Sequence, residues 1–301
     1  MAPPLVSIVT PCFNSARFLE RTIASVLAQD YPALEYLVMD GGSTDETLAI
    51  LERYRGRLEF QSERDRGPAD AVNKGFARSK GEILAWLNAD DEYAPGAVSA
   101  AVRHLTAHPE VDVVYGEGFW IDEAGAKLDR YPTRSPYQPE MFQQECAVCQ
   151  PAVFFRRDAF NDSGGFKTDQ NACWDYDLWI RMSRRHKFLA VPETLAYSRM
   201  HGNTISLGGR REVFRQNIRL LQREYGYVPV NWVYGYLSFL RDGRDQFFEP
   251  LRHSAPVYLA SLAVGSVYNY RHPWRYWKEW ASRLRIARVL PSILECRKRE
   301  R

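Results

Sequence analysis

The chain has 301 residues, 45% apolar and 26% charged, and 13% aromatics with only 19 Gly and 17 Pro exclude a disordered or fibrous chain. That length fits one large globular domain or two modest ones. A net charge of +3 excludes a global nucleic-acid field, but residues 271–301 alone carry +7, leaving the first 270 at −4.

In chain order, the apolar run Leu5–Val9 reads as a strand that stops at Thr10-Pro11. Leu19, Ile23, Val26 and Leu27 follow at the spacing of one buried helix face, and Asp30-Tyr-Pro32 ends that helix. Tyr36–Met39 is a second strand, stopping at Asp40-Gly41-Gly42. Ser43 with Glu46 predicts a capping box, and Leu48, Leu51 and Tyr54 continue its helix. A strand over Leu58–Ser62, a helix over Ala69–Ala77 and a strand over Ile83–Leu87 come next. Asn88-Ala-Asp-Asp91 ends the last, and Pro95 suits the first turn of the following helix.

Strands alternating with helices, each strand a near-continuous apolar run, predict a mostly parallel sheet covered on both faces. Ligands of such sheets bind beyond the carboxyl ends of the strands. Three of the four strands end there in polar clusters, at Thr10–Asn14, Asp40–Asp45 and Asp90-Asp91. Asp and Gly favour turns anyway, but carboxylates gathered at one edge need a cation or hydrogen-bond donors to offset their repulsion. Neither a Gly-x-Gly-x-x-Gly nor a Gly-x-x-x-x-Gly-Lys-Ser/Thr cradle is present, so phosphate would be held by a metal on Asp90 or Asp91. Mg²⁺ and Mn²⁺ suit such carboxylates.

Four segments are similar to family 2 glycosyltransferases: Val6–Asn14, Asp40–Asp45, Glu63–Gly67 with Asp70–Gly75, and Leu87–Asp91. The resemblance covers about residues 5–205. It implies the GT-A nucleotide-sugar-binding fold, an α/β Rossmann-like sheet with helices on both faces. It also implies an inverting transfer from a nucleotide-diphosphate sugar, UDP-activated by expectation, to a hydroxyl of a saccharide or lipid-linked acceptor. Cell-surface polysaccharide assembly is the setting it suggests. Thr10 and Pro11 match the turn against the nucleotide, Asp40 a ligand of the base, and Asp65 an acidic position in the base and ribose pocket. Asp90 matches a ribose contact, Asp91 a metal ligand, and His201 a second metal or diphosphate ligand. As a lone residue, Asp91 is also a carboxylate at a helix N-terminus, and His201 a loop residue with no role.

Trp174–Arg181 reads as the start of a helix running to about Arg185, after a strand at Pro151–Phe155 and a turn at Gly164–Phe166. In the family the first Asp of this segment is the catalytic base, which assigns the role to Asp175; Trp174 before it departs from the usual pattern. Asp177 lies about 200° further round the helix and is read as a solvated or capping carboxylate. Such a reaction needs one divalent ion for the leaving diphosphate and one base for the acceptor hydroxyl. A strand over Lys187–Val191 precedes Tyr197–Ser206, where glycines at 202, 208 and 209 suggest a mobile loop carrying Arg199, Arg210 and Arg211 toward the diphosphate.

Phe214, Ile218, Leu221 and Tyr225 mark one more helix, and the motifs end at Gly226. The expected domains are a catalytic one over 1–225 and a helical, aromatic and basic extension over 226–301. Arg271–Trp280 interleaves Trp and Tyr with cations, which fits a helix at an anionic membrane interface or a packed appendage with a basic face. Ala255–Tyr268 is shorter than the ~20 residues needed to cross a bilayer. Five cysteines and no signal peptide predict reduced thiols and a cytoplasmic chain, peripheral on the inner face of the cell membrane. A zinc site on Cys146 and Cys149 needs Cys173 and His201 to complete it. No nucleic-acid partner is expected, and the sequence does not set an oligomeric state. Two readings compete with transfer: a sugar-nucleotide pyrophosphorylase, whose glycine-rich loop is missing, and a non-catalytic sugar- or lipid-binding relative.

Overall fold

The computed structural model describes residues 2–170, 172–249 and 251–283. The basic run beyond residue 283 and Cys296 lie outside them. The chain divides into two compact units, Met1–Thr204 and Ile205–Arg301.

The first unit opens with β1 (Val6–Cys12), α1 (Leu19–Leu27), β2 (Leu34–Asp40), α2 (Thr47–Arg53), β3 (Glu59–Ser62), α3 (Pro68–Arg78) and β4 (Ile83–Trp86). These four strands are parallel in the order β3-β2-β1-β4, as the alternation predicts. Every residue of β1 is buried, because helices cover both faces of the sheet. Its Ser7 hydroxyl donates to Glu35 and accepts from the Gly81 amide at 2.7 Å, so the buried polar group is satisfied.

Beyond β4 the sheet turns mixed. β5 (Glu92–Tyr93), α4 (Ala97–Ala107), β6 (Val113–Ile121), β7 (Lys127–Arg130), α5 (Met141–Gln144), β8 (Val153–Arg156), α6 (Arg157–Asp162), α7 (Trp174–Met182) and β9 (Phe188–Arg199) complete the unit. The sheet continues β4-β8-β6-β9-β5, with β8 antiparallel to both neighbours and β9 parallel to β6. One twelve-residue strand, β9, therefore replaces the short strand and loop expected over 187–206, and it leads straight to His201.

Several local expectations change. Ser43 does not cap α2: its hydroxyl donates to Asp40, and Asp45 Oδ1 instead accepts from the Thr47 amide at 3.0 Å. Residues 150–152 form a 3-10 turn before β8, and α7 ends at Met182.

The second unit holds α8 (Ile205–Gly208), α9 (Arg210–Tyr225), α10 (Val230–Asp242), α11 (Ala255–Tyr268) and a helical stretch over 273–283. Ile218 of α9 is buried with Tyr227, Val228, Val230, Val233 and Tyr276. That shared core is why the division falls before α9, at residue 204, rather than after it at 225.

Helix α3 lies directly on β1 and β2 at Gly75, where a Cβ would sit 2.5 Å from Val9 Cγ1 and 3.1 Å from Met39 Cγ. Gly75→Ala therefore overpacks this contact by about 1–3 kcal/mol, more than the helix gains from alanine. A lower urea midpoint at unchanged slope is the expected result.

Candidate active site

The carboxyl ends of β1 and β2 are stitched into one surface. Cys12 pairs with Asp40 across the strands, and Asp40, only 2% exposed, is spent on its own turn. It accepts from the Gly42 amide at 3.1 Å, the Ser43 amide at 3.0 Å, the Ser62 hydroxyl at 2.5 Å and the Ser43 hydroxyl. Beyond β1, Asn14 adopts φ 48°, a left-handed conformation that Asn tolerates, and its Oδ1 accepts from the Thr44 amide at 2.8 Å. Phe13 stands exposed beside it. Thr10 is buried, 3.1 Å through its hydroxyl from Tyr36 Oη, and Pro11 is buried in the same strand. Asp65 lies over Gly41, where a Cβ would fall 2.8 Å from its Oδ2, and it accepts from the Gly67 amide at 2.8 Å.

At the end of β4 the two neighbouring carboxylates are treated differently. Asp91 is 3% exposed; its Oδ1 accepts from the Arg199 amide at 2.8 Å, and Asn88 lies 3.4 Å from its Oδ2. Burial, then the charge of Asp90, push its pKa well above the usual Asp value. Asp90 is 29% exposed through its side chain, and its Oδ2 lies 3.0 Å from His201 Nε2. Two ligands at adjacent octahedral positions, each ~2.1 Å from an ion, sit ~3 Å apart. Asp90, paired with His201, is the more open of the two carboxylates, while Asp91 is turned inward onto the Arg199 amide. Among the described residues no group of three or more His, Cys, Asp or Glu could hold an ion, so water and phosphate oxygens would supply the remaining ligands.

Arg199, expected on a mobile loop, is instead the buried strut of this corner. Its side chain is fully buried and donates to the carbonyls of Asp90 at 2.9 Å, Asp122 at 2.7 Å and Glu123 at 3.0 Å, and pairs with Glu92. Phe18 packs under it at 5.0 Å and against the His201 ring at 4.9 Å. Thr22 of α1 donates to the Asp91 carbonyl at 2.8 Å. Arg210, placed with Arg199 by sequence, stacks its guanidinium on Phe214 and Phe247, each at 4.4 Å, and Arg211 follows it in the first turn of α9.

Asp175 sits in the first turn of α7, which an aromatic cluster holds against β4. The Trp174 ring lies 5.2 Å from that of Trp86, the last residue of β4, and 4.6 Å from Phe166; Trp86 stacks on Trp179 at 5.4 Å. Asn88 and Trp86 are tied to the same region, since Gln150 accepts from Asn88 at 2.8 Å and donates to the Trp86 carbonyl at 3.2 Å. The helix that carries Asp175 is thus packed on the end of β4, the strand that leads to Asp90 and Asp91. Burial raises the Asp175 pKa to about 6, against the opposing bond from the Tyr176 amide. Asp177 is not solvated: fully buried, it pairs with Arg181 at 2.7 Å and Lys167 at 3.2 Å and anchors the 163–165 turn through Arg181. The zinc reading loses its partners, as Cys173 donates to Gln170 at 2.9 Å and His201 faces Asp90.

The residues that sequence reasoning missed are Arg199 as a strut, Phe18, Gln150 and the anchoring role of Trp174. Only Trp174 carried a signal, as the large residue standing where the family pattern has a smaller one.

A family profile for glycosyl transferase family 2 matches residues 7–164. A glycosyltransferase of Mycobacterium tuberculosis is 32% identical over 213 residues, 69% of this chain and 79% of that protein. One from Rickettsia prowazekii is 29% identical over 210 residues, and the match spans 66% of this chain but only 64% of that relative. Chondroitin synthase of Escherichia coli is 28% identical over 240 residues, 75% of this chain and 34% of the synthase. Among solved structures, Staphylococcus aureus TarS 1-349 with UDP-GlcNAc superposes with TM-score 0.59 at 16% identity, over 88% of this chain and 81% of that one. The mannosyltransferase PcManGT of Pyrobaculum calidifontis, in complex with GDP-Man and Mn²⁺, gives 0.57 at 20% identity over 95% and 86%. The fold is that of GT-A glycosyltransferases. This chain belongs to glycosyltransferase family 2.

Arg199→Met removes the donor to three carbonyls and to Glu92, and breaking a buried pair of this kind costs about 3–5 kcal/mol. Thermal melts are expected to show a fall of several degrees, only partly recovered in Arg199→Lys, whose ammonium cannot reach all four partners.

Proposed function

We propose that this chain transfers a sugar, with inversion, from a nucleoside-diphosphate sugar to a hydroxyl of a saccharide or lipid-linked acceptor, in the assembly of a cell-surface polysaccharide. The observation that carries the reading is the packing of α7, whose Asp175 has its pKa raised to about 6, on the last residue of β4, the strand that leads to the open Asp90–His201 pair at 3.0 Å. UDP is the proposed nucleotide; since the superposable structures hold UDP-GlcNAc and GDP-Man, titration with UDP and with GDP decides between them.

In this reading the nucleotide lies along the joined turns after β1 and β2. Thr10 and Pro11 shape its floor, and the Asp40 turn and Asp65 face the base and ribose. Asp40, already holding donors from its own chain, acts by fixing Gly41–Ser43 in place. Asp90 and His201 would hold a divalent ion, Mn²⁺ or Mg²⁺, which would supply positive charge to offset that of the departing diphosphate. Asp175 accepts the proton of the acceptor hydroxyl as the new glycosidic bond forms. A carboxyl of ordinary acidity would be a weaker base, and burial is what strengthens this one. A single displacement needs no second carboxylate as nucleophile, which leaves Asp177 free for its structural ion pairs.

Asp175→Asn keeps the shape and removes the base, so turnover is expected to fall about 10²–10⁴-fold while titrated nucleotide binding stays within about twofold. Unchanged turnover would point to another base. The sign of the pH dependence follows from the raised pKa: the active form is the deprotonated one, present above about 6 and lost as pH falls through it. The profile of kcat/KM should therefore bend near pH 6 on its acid side, not near the value of an unperturbed Asp.

A further inference from the structure

Helix α11 leaves large aliphatic side chains in solvent. Over Ser254–Tyr270 there is no charged residue, yet the side chains it buries are Ser261 and Gly265, the small ones. Gly265 is pressed against Tyr276, whose hydroxyl donates to the Ser261 carbonyl at 2.8 Å; a Cβ at Gly265 would lie 2.0 Å from that ring. Tyr258, Leu262, Val264 and Tyr268 are half-buried against the core of this unit, whereas Leu259 is 62% and Val267 73% exposed, and Tyr270, just past the helix, is 64% exposed. The i, i+8 spacing of Leu259 and Val267 puts these two on one helix face. Trp274 and Trp277, 71% and 41% exposed with rings 4.9 Å apart, continue it from the next helical stretch. A row of exposed aliphatic and aromatic groups with no ion pairs across it is the kind of surface that marks a partner.

Charge says which partner. In sequence the row lies between Arg252 and Arg271, Lys278 follows Trp277, and residues 271–301 carry a net charge of +7. A second copy docked face to face would bring these cations against their own kind. Tryptophans above a basic fringe match the interface of an anionic bilayer, where the rings sit at headgroup depth and the cations meet lipid phosphates. With 14 residues, α11 spans ~21 Å, short of the ~30 Å hydrocarbon core, so it would lie on the membrane. No helix among the described residues is long and apolar enough to cross one.

We propose that the outward face of α11, together with Trp274 and Trp277, is a docking surface for anionic lipid bilayers. This rests on the C-terminal unit alone and not on the assignment of Asp175, Asp90 or His201. The test is co-sedimentation of the full chain with vesicles of phosphatidylcholine alone and of phosphatidylcholine with one-quarter phosphatidylglycerol. The chain is expected to partition at least tenfold more strongly onto the anionic vesicles, with a blue shift of tryptophan emission, and to be released by high salt. Val267→Ser with Trp274→Ser and Trp277→Ser should lower that partition about tenfold or more at unchanged melting temperature and unchanged turnover of a soluble acceptor. Asp175→Asn should bind vesicles as the wild type does, so a failure of the catalytic reading leaves this one standing. Equal binding to both vesicles, no binding at low salt, or light scattering that shows a dimer broken by the triple substitution would each overturn it. The emission shift of the unaltered chain decides the matter should the triple variant not fold.

Discussion

The corner of Asp90, Asp91 and His201 depends on one buried guanidinium. Arg199 ends β9, and its side chain reaches the Asp90, Asp122 and Glu123 carbonyls and Glu92, while its amide takes the Asp91 carboxylate. Two separate segments, 90–92 and 122–123, are thereby held by one planar fork, a task for which a lysine has the charge but not the geometry. The consequence is directional. With Asp91 drawn inward, the chain can present only Asp90 outward, and the strand that carries Arg199 delivers His201 two residues later to meet it.

A second constraint holds the base. Trp174, Trp86, Phe166 and Trp179 form a packed cluster between α7 and the end of β4, and the buried Asp177 ion pairs fasten the other side of the helix. Burial there does two things at once, fixing the first turn of α7 and raising the Asp175 carboxyl into the range of a useful base. Rigid placement and pKa have the same physical origin.

The strand–helix alternation and the polar clusters at the strand ends are legible in the sequence, because a parallel sheet covered on both faces demands continuous apolar runs and puts its turns at one edge. The roles given to Asp40, Asp65, Asp90, His201 and Asp175 come from family resemblance; Asp40 ends β2, Asp175 stands in the first turn of α7, and the other three lie in the loops after β3, β4 and β9. What the chain does not spell out is which of two adjacent aspartates turns inward, since that is decided by an amide 108 residues away. The same holds for Arg199, which looks like a loop cation until β9 is seen to run unbroken into the core. Ser43 misled for a related reason: a hydroxyl suited to cap a helix found a buried carboxylate to bond instead.

The unit boundary and the C-terminal helices show the opposite case. Composition announced aromatic and basic residues, but not that α11 would bury its glycine and serine and leave Leu259 and Val267 in solvent. Pattern alone reports amphipathicity; it does not report which side a neighbour has already taken.

The central claim is that Asp90 and His201, not Asp91, make the ion site. It is tested most directly by anomalous diffraction at the manganese edge from crystals of the chain grown with Mn²⁺ and UDP. The account predicts a single strong peak roughly 2.0–2.3 Å from Asp90 Oδ2 and His201 Nε2, with Asp91 still bonded to the Arg199 amide. A peak on Asp91 with that bond broken, or none beside His201, would contradict it.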